Sequence, residues 1–186
     1  DRAMARIHEA SGRAGRLIED LLALARLDRE IGVSRSTLDI GALVADIAED
    51  SRISTGRDVR SQIAGGTLVN GDRVWLRQAI ENLIGNAVAY APKPSPIELI
   101  VRQEAEEVEV LVVDHGLGIP EAERERVFDR FARPDRARDR SHGGAGLGLA
   151  IVREVVLSHG GEVRIHETPG GGATVEIVLP LAVSDS

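Results

Sequence analysis

Cysteine is absent from all 186 residues, which excludes disulfides, thiolate zinc sites and a cysteine nucleophile, and is compatible with a reducing compartment. Aromatic residues make up only 2% of the chain. A core must therefore be filled by Leu, Ile, Val and Ala, which favours layered helices and strands. No apolar run approaches the ~20 residues of a membrane span, and no secretory leader is visible. An excess of basic charge is missing as well: the formal charge is -7, which opposes general attraction to anionic lipid and excludes nucleic acid as an expected partner. What is present, 42% hydrophobic residues, suffices for one sizeable core and a small satellite element. The chain opens at Asp1, without Met and already in helical pattern, and so reads as a fragment whose missing N-terminal part is free to hold membrane spans.

Periodicity divides the chain. From Asp1 to about Glu30, Met4, Ile7, Ser11, Ala14, Ile18, Leu21 and Ala25 recur in alternating steps of three and four, the seam of a bundle helix. Gly12 and Gly15 weaken that helix by roughly 1 kcal/mol each against Ala. An amphipathic helix docked on its own domain is the alternative. Residues 32–37 are polar and read as a hinge, 38–182 as a compact domain, and 183–186 as a tail. Within the domain, Leu38 to about Ser51 reads as a strand end leading into a helix. Val59 to Ile63 and Leu68 to Asn70 read as short strands, and Asp72 as the cap of a helix running to about Ala91, stopped by Pro92, Pro94 and Pro96. Ile97 to Gln103 and Val108 to Val113 are predicted hairpin partners, followed by a helix from Leu149 to about Ser158 and strands at Glu162 to His166 and Thr174 to Leu179.

Three segments carry chemistry. On the long helix, Leu76, Ala79, Ile80, Leu83 and Ala87 form a core stripe, while Asn82 and Asn86 stand four apart on the adjoining face. Asn is a weak helix former, and a neutral oxygen ligand suits Mg²⁺ when a triphosphate supplies the negative charge; ordinary surface Asn residues would look the same. Second, Asp114-His115-Gly116-Leu117-Gly118-Ile119-Pro120 follows an apolar strand. Its glycines admit a flat ligand close to backbone, and the Asp can accept from the exocyclic amine of adenine but not pair with the guanine carbonyl. A plain turn with a solvated Asp is the competing reading. Third, Gly143-Gly144-Ala145-Gly146-Leu147-Gly148 runs into a helix start, where free amides and the helix dipole attract phosphate. The Lys-Ser/Thr of a Walker loop is missing.

Between the last two segments lie Arg124, Arg126, Arg130, Arg133, Arg136, Arg138 and Arg140, of which Arg130 and Arg133 are the candidates for phosphate contact. Phe128 and Phe131 are three apart, a spacing that puts both rings on one side of a short helix and lets them dock a lid.

In order and approximate spacing, Asn82 with Asn86, the Asp114 to Pro120 box, Phe128 with Phe131 and the Gly144 to Gly148 box resemble the catalytic domain of bacterial sensor histidine kinases. The resemblance runs from end to end. It implies an α/β (α+β) two-layer sandwich of the gyrase, chaperone and mismatch-repair ATPase superfamily, the Bergerat type: a mixed, mainly antiparallel sheet covered by helices on one face and preceded by a long bundle helix. It implies ATP and Mg²⁺, with Asn86 as principal metal ligand and Asn82 assisting. Tyr90, Asp114, Gly116, Gly118, Ile119, Gly144, Gly146, Leu147, Gly148 and Thr174 would surround the nucleotide, Thr174 supporting the adenine-binding Asp.

The implied activity is transfer of the γ-phosphate to a His and onward to an Asp of a response-regulator receiver domain. The full-length protein would be a homodimer, and this chain the cytoplasmic portion of a membrane-anchored sensor. Residues 1–31 would be the second helix of the dimerisation region. Departures are visible. Val88 and Ala89 stand where relatives carry a basic residue, and Val175 replaces an aromatic. His8 is followed by Glu9-Ala10-Ser11-Gly12 with no Pro nearby, so the acceptor His is expected to be absent. His115, His142, His159 and His166 read as incidental. A clamp ATPase would need a water-activating Glu where Asn82 stands, and a scaffold with a vestigial pocket would not need the motifs.

Overall fold

A computed structural model describes residues 2–27, 34–132 and 145–182. Helix α1, Arg2–Leu27, precedes strand β1, Ser36–Asp39, and helix α2, Ile40–Thr55. Strands β2, Val59–Ile63, and β3, Leu68–Gly71, lead to helix α3, Arg73–Tyr90. The hairpin β4, Ile97–Glu104, and β5, Glu107–Val113, is followed by 3₁₀ turns at Glu121–Glu123 and Arg126–Phe128. Helix α4, Gly148–Ser158, and strands β6, Glu162–Glu167, and β7, Ala173–Pro180, complete the chain.

The main sheet has the order β2-β4-β5-β7-β6. Only β2 and β4 run parallel; the other neighbours are antiparallel. Alternation along the strands sends Ile97, Leu99, Val101, Val108, Val110, Val112, Val175, Ile177 and Leu179 to one face, all buried. Against them pack Leu43, Val44 and Ile47 of α2, Leu76, Ile80 and Leu83 of α3, and Ile151, Val152 and Val155 of α4. Each such side chain stabilises the fold by about 1.5–3 kcal/mol. The opposite face carries no helix among the described residues and bears charged side chains. Glu176 is buried there, with His166 Nε2 at 2.9 Å and Arg102 and Arg164 nearby.

This is the two-layer, mixed and mainly antiparallel sandwich with helices on one face that the sequence implies. One local expectation needs correction. Ser36 and Thr37, read as the end of a polar hinge, are paired with Gly71 and Asn70 in the small β1–β3 sheet. Their polarity misled because this two-stranded ribbon lies at the domain edge, where alternation is weak. On α1 the seam residues Met4, Ile18 and Leu21 are exposed, whereas Ala23, Leu24 and Leu27 are buried. No helix among the described residues is long and apolar enough to cross a membrane.

Candidate active site

Asp72 positions α3. Its carboxylate accepts from the amides of Val74, at 2.8 Å, and Trp75, at 3.2 Å, so the helix starts one residue later. His159, at the end of α4, accepts the Asp72 amide on Nε2 at 2.9 Å and pairs through Nδ1 with the Val155 carbonyl at 2.7 Å. Read as incidental in the sequence, His159 is a buried structural link between the two helices. With α3 so placed, Leu83 and Ala87 enter the core and Asn86 turns toward the space between α3, β5 and α4.

That space is a cavity of about 120 Å³. Asn86, Tyr90, Asp114, Gly118 and Ile119, five of the residues expected around a nucleotide, line it. Leu83, Val112, Val127 and Leu149 supply apolar walls, suited to the faces of a flat ring. The Asn86 carboxamide is half-buried and has no hydrogen-bond partner among the described residues. Asn82 does not line the cavity; its Nδ2 donates to the Gly148 carbonyl at 3.4 Å, tying α3 to the start of α4.

Asp114 leaves β5 at the cavity wall. Its Oδ1 accepts from the amides of Gly116, at 2.7 Å, and Ala173, at 3.3 Å, leaving Oδ2 without a partner among the described residues. Burial holds this carboxyl above the ordinary carboxylate value, against the opposing pull of the two amides and of His115. An acid kept partly out of water with one oxygen free is suited to a hydrogen-bond donor such as an exocyclic amine.

Sequence reasoning placed the support for Asp114 in Thr174. The Thr174 hydroxyl instead pairs with Thr168 at 2.9 Å, and Ala173, one residue earlier, serves Asp114 with both its amide and its carbonyl. The reason is register: Thr174 lies opposite Val113 and points to the charged face of the sheet. Gly172, just before β7, was missed. A Cβ there would stand 2.0 Å from the Asp114 carbonyl oxygen, and its φ is +119, so only glycine lets the two loops touch. The run Gly170-Gly171-Gly172 ahead of an apolar strand was the available signal.

Helix α4 begins after Leu147 with no side-chain cap. The amides of Gly148, Leu149 and Ala150 have no acceptor among the described residues, and Leu149 lines the cavity. An uncapped helix start beside a pocket offers donors to an anion. Gly146 precedes it with φ +75, its carbonyl accepting from the Phe131 amide at 2.8 Å.

The two phenylalanines do not share a face. Phe128 is buried, whereas Phe131 is 61% exposed and left-handed at φ +66. The 3₁₀ turn ends at Phe128 and Asp129 is extended, which breaks the helical spacing. Arg130 is exposed and outside the cavity lining. Arg133, Gly144 and His142 lie outside the described residues, as does the side chain of His8.

Residues 71–183 match the family described as Histidine kinase-, DNA gyrase B-, and HSP90-like ATPase. The chain is 34% identical over 177 residues to the sensor-like histidine kinase SenX3 of Mycobacterium tuberculosis, covering 93% of this chain and 43% of that protein. It is 35% identical over 171 residues to the sensor histidine kinase WalK of Bacillus subtilis, covering 89% and 28%. Among solved structures, the ATP-binding domain of PrrB from Mycobacterium tuberculosis superposes with a TM-score of 0.66 at 31% identity, over 80% of this chain and 98% of that one. Full-length ShkA, crystallised with AMPPNP, superposes with a TM-score of 0.80 at 28% identity, over 100% and 40%. The chain thus spans less than half the length of SenX3, WalK and ShkA.

Proposed function

Because the chain belongs to the histidine kinase-, DNA gyrase B- and HSP90-like ATPase family, we propose that it is the ATP-binding catalytic portion of a sensor histidine kinase. In this reading it presents Mg-ATP to a His on a dimerisation helix outside this chain. The phosphate then passes to an Asp of a receiver domain. The full-length protein is a homodimer, and this portion lies on the cytoplasmic side of a membrane-anchored sensor. The observation that carries the reading is that a carboxamide without a partner among the described residues, Asn86, and a half-buried, half-satisfied acid, Asp114, line one cavity with the uncapped start of α4 at its edge.

Each group has one task. Asp114 Oδ2 accepts the adenine amine, the apolar walls hold the ring, and the α4 amides take phosphate oxygens. The free carboxamide oxygen of Asn86 fits a magnesium ion carried by the nucleotide. Bound there, magnesium neutralises phosphate charge and orients the transferred group. The residues themselves supply position rather than a nucleophile. Arg130 and Arg133 remain the candidates for γ-phosphate contact.

A clamp ATPase is disfavoured on a specific ground. Asn82 holds the place of the water-activating acid and is committed to Gly148, while Glu81 is exposed and paired with Arg77 at 3.1 Å. The chain is to be incubated with γ-labelled ATP, alone and with a separately supplied acceptor-helix dimer. Acid-labile label on the added dimer, abolished by Asn86→Ala, is the expected result. Free phosphate without labelled protein would overturn the kinase reading, and unchanged labelling in the variant would remove the assignment of Asn86.

A further inference from the structure

Arg57 is 6% exposed and makes no ion pair among the described residues. It follows Gly56, the left-handed residue that ends α2, and its guanidinium points at the far end of α3. Nη1 donates to the carbonyls of Val88, at 3.4 Å, and Ala91, at 3.2 Å. Nη2 donates to those of Pro92, at 3.2 Å, and Ser95, at 3.0 Å. A buried cation without a counterion is unfavourable unless its donors are met. Here they are met by carbonyl dipoles where α3 ends, the place where the helix dipole favours positive charge. The planar fork serves two carbonyls on each arm, which the compact ammonium of Lys does not reproduce.

The place it holds matters for the cavity. The last two turns of α3 carry Asn86 and Tyr90, both in the lining. The Tyr90 carbonyl oxygen sits 2.9 Å from where a Cβ on Gly116 would be, so the helix end is in backbone contact with the loop after β5. Gly116 in turn donates its amide to Asp114. One line of contacts therefore runs from Arg57 through the end of α3 to the carboxylate of Asp114.

We propose that Arg57 is a positioning residue for the nucleotide: it fixes the last turns of α3 against the Asp114 loop, and so sets the separation between the carboxamide that meets the phosphate end and the acid that meets the base. This rests on the reading of the cavity as an ATP site. Arg57 itself is not in the cavity lining. Its loss is felt by a ligand that spans both ends of the cavity and little by one that occupies the base end alone, a distinction that a role in stability alone does not make.

The test is titration of the whole chain and of Arg57→Met and Arg57→Lys with Mg-ATP and, separately, with adenosine. Each is titrated at a temperature where near-ultraviolet circular dichroism shows it folded. Loss of charge-assisted hydrogen bonds should weaken Mg-ATP binding in Arg57→Met by about tenfold or more, and adenosine binding by less than about twofold. Arg57→Lys should fall between. Mg-ATP affinity unchanged in folded Arg57→Met, or equal proportional losses for both ligands, would overturn the proposal. If Arg57→Met does not fold, Arg57→Lys carries the same comparison at smaller amplitude. Failure of the unsubstituted chain to bind Mg-ATP would instead overturn the ATP-site reading, and this inference with it.

Discussion

Asp39 and Asp114 both accept two backbone amides, yet their environments point in opposite directions. Asp39 starts α2 by accepting from Gly41 and Ala42, and also takes the Thr67 hydroxyl at 2.8 Å. The Thr67 hydroxyl, followed by the Ala42 amide, holds its carboxyl below the ordinary value. In Asp114 burial outweighs the amides and raises it. The helix starts divide in the same way. Those of α2 and α3 are capped by Asp39 and Asp72, whereas α4 starts after Leu147 with nothing among the described residues to receive its first amides. Asp39 and Asp72 are met within the chain and hold helix starts, while Asp114, the Asn86 carboxamide and the first amides of α4, partly or wholly unmet among the described residues, stand at one cavity. A site that binds a charged ligand leaves its own donors and acceptors incomplete until the ligand arrives.

The contrast can be broken first at Asp114. Asp114→Asn keeps an acceptor for the Gly116 amide but turns a donor toward the adenine amine, so ATP affinity should fall by about 100-fold by calorimetry. Stability should not fall with it. A raised carboxyl favours the protonated form in the fold, so its contribution is full below the ordinary value and is lost as pH rises through the folded value. At neutral pH the ionised group opposes folding, and a neutral amide relieves that. Urea midpoints at neutral pH check the claim.

Next comes Gly146→Ala, where a Cβ would stand 2.7 Å from the Ala132 carbonyl oxygen at φ +75. Moving the start of α4 should weaken Mg-ATP by about tenfold, with a stability cost of about 1 kcal/mol. Asp39→Ala is the reverse case. Loss of a cap should cost about 1 kcal/mol in urea unfolding and leave the Mg-ATP dissociation constant unchanged. In acid the unsubstituted chain should lose the Asp39 contribution as pH falls through its lowered value.

The smallest effect belongs to His159. Burial holds its imidazole below the ordinary value, so its contribution is full above 6.5 and is lost as pH falls. His159→Gln should flatten the decline in urea midpoint between neutral pH and about pH 5.5.

Much of this was legible in the sequence, because the dominant signals are local. Alternation along β4, β5 and β7, the Asp72 cap and the Asn82 to Asn86 spacing are each set within a few residues. Convergence of Asn86 with Asp114 followed from the order of the motifs. Most of the misses are long-range. Ser36 and Thr37 pair with residues over 30 positions away, and Arg57 meets carbonyls 31 to 38 positions away. Gly172 and Ala173 reach Asp114 only because β7 lies beside β5. Phe131 takes a left-handed conformation that no side-chain pattern announces.

Amide resonances of the nitrogen-labelled chain, followed by nuclear magnetic resonance during addition of Mg-ATP and, separately, adenosine, test the central claim most directly. The amides of Gly148, Leu149 and Ala150 should shift with Mg-ATP and not with adenosine, Gly116 should respond to both, and the capped amides of Val74 and Trp75 should stay in place. A start of α4 that is silent to Mg-ATP, or that responds equally to adenosine, would contradict the account.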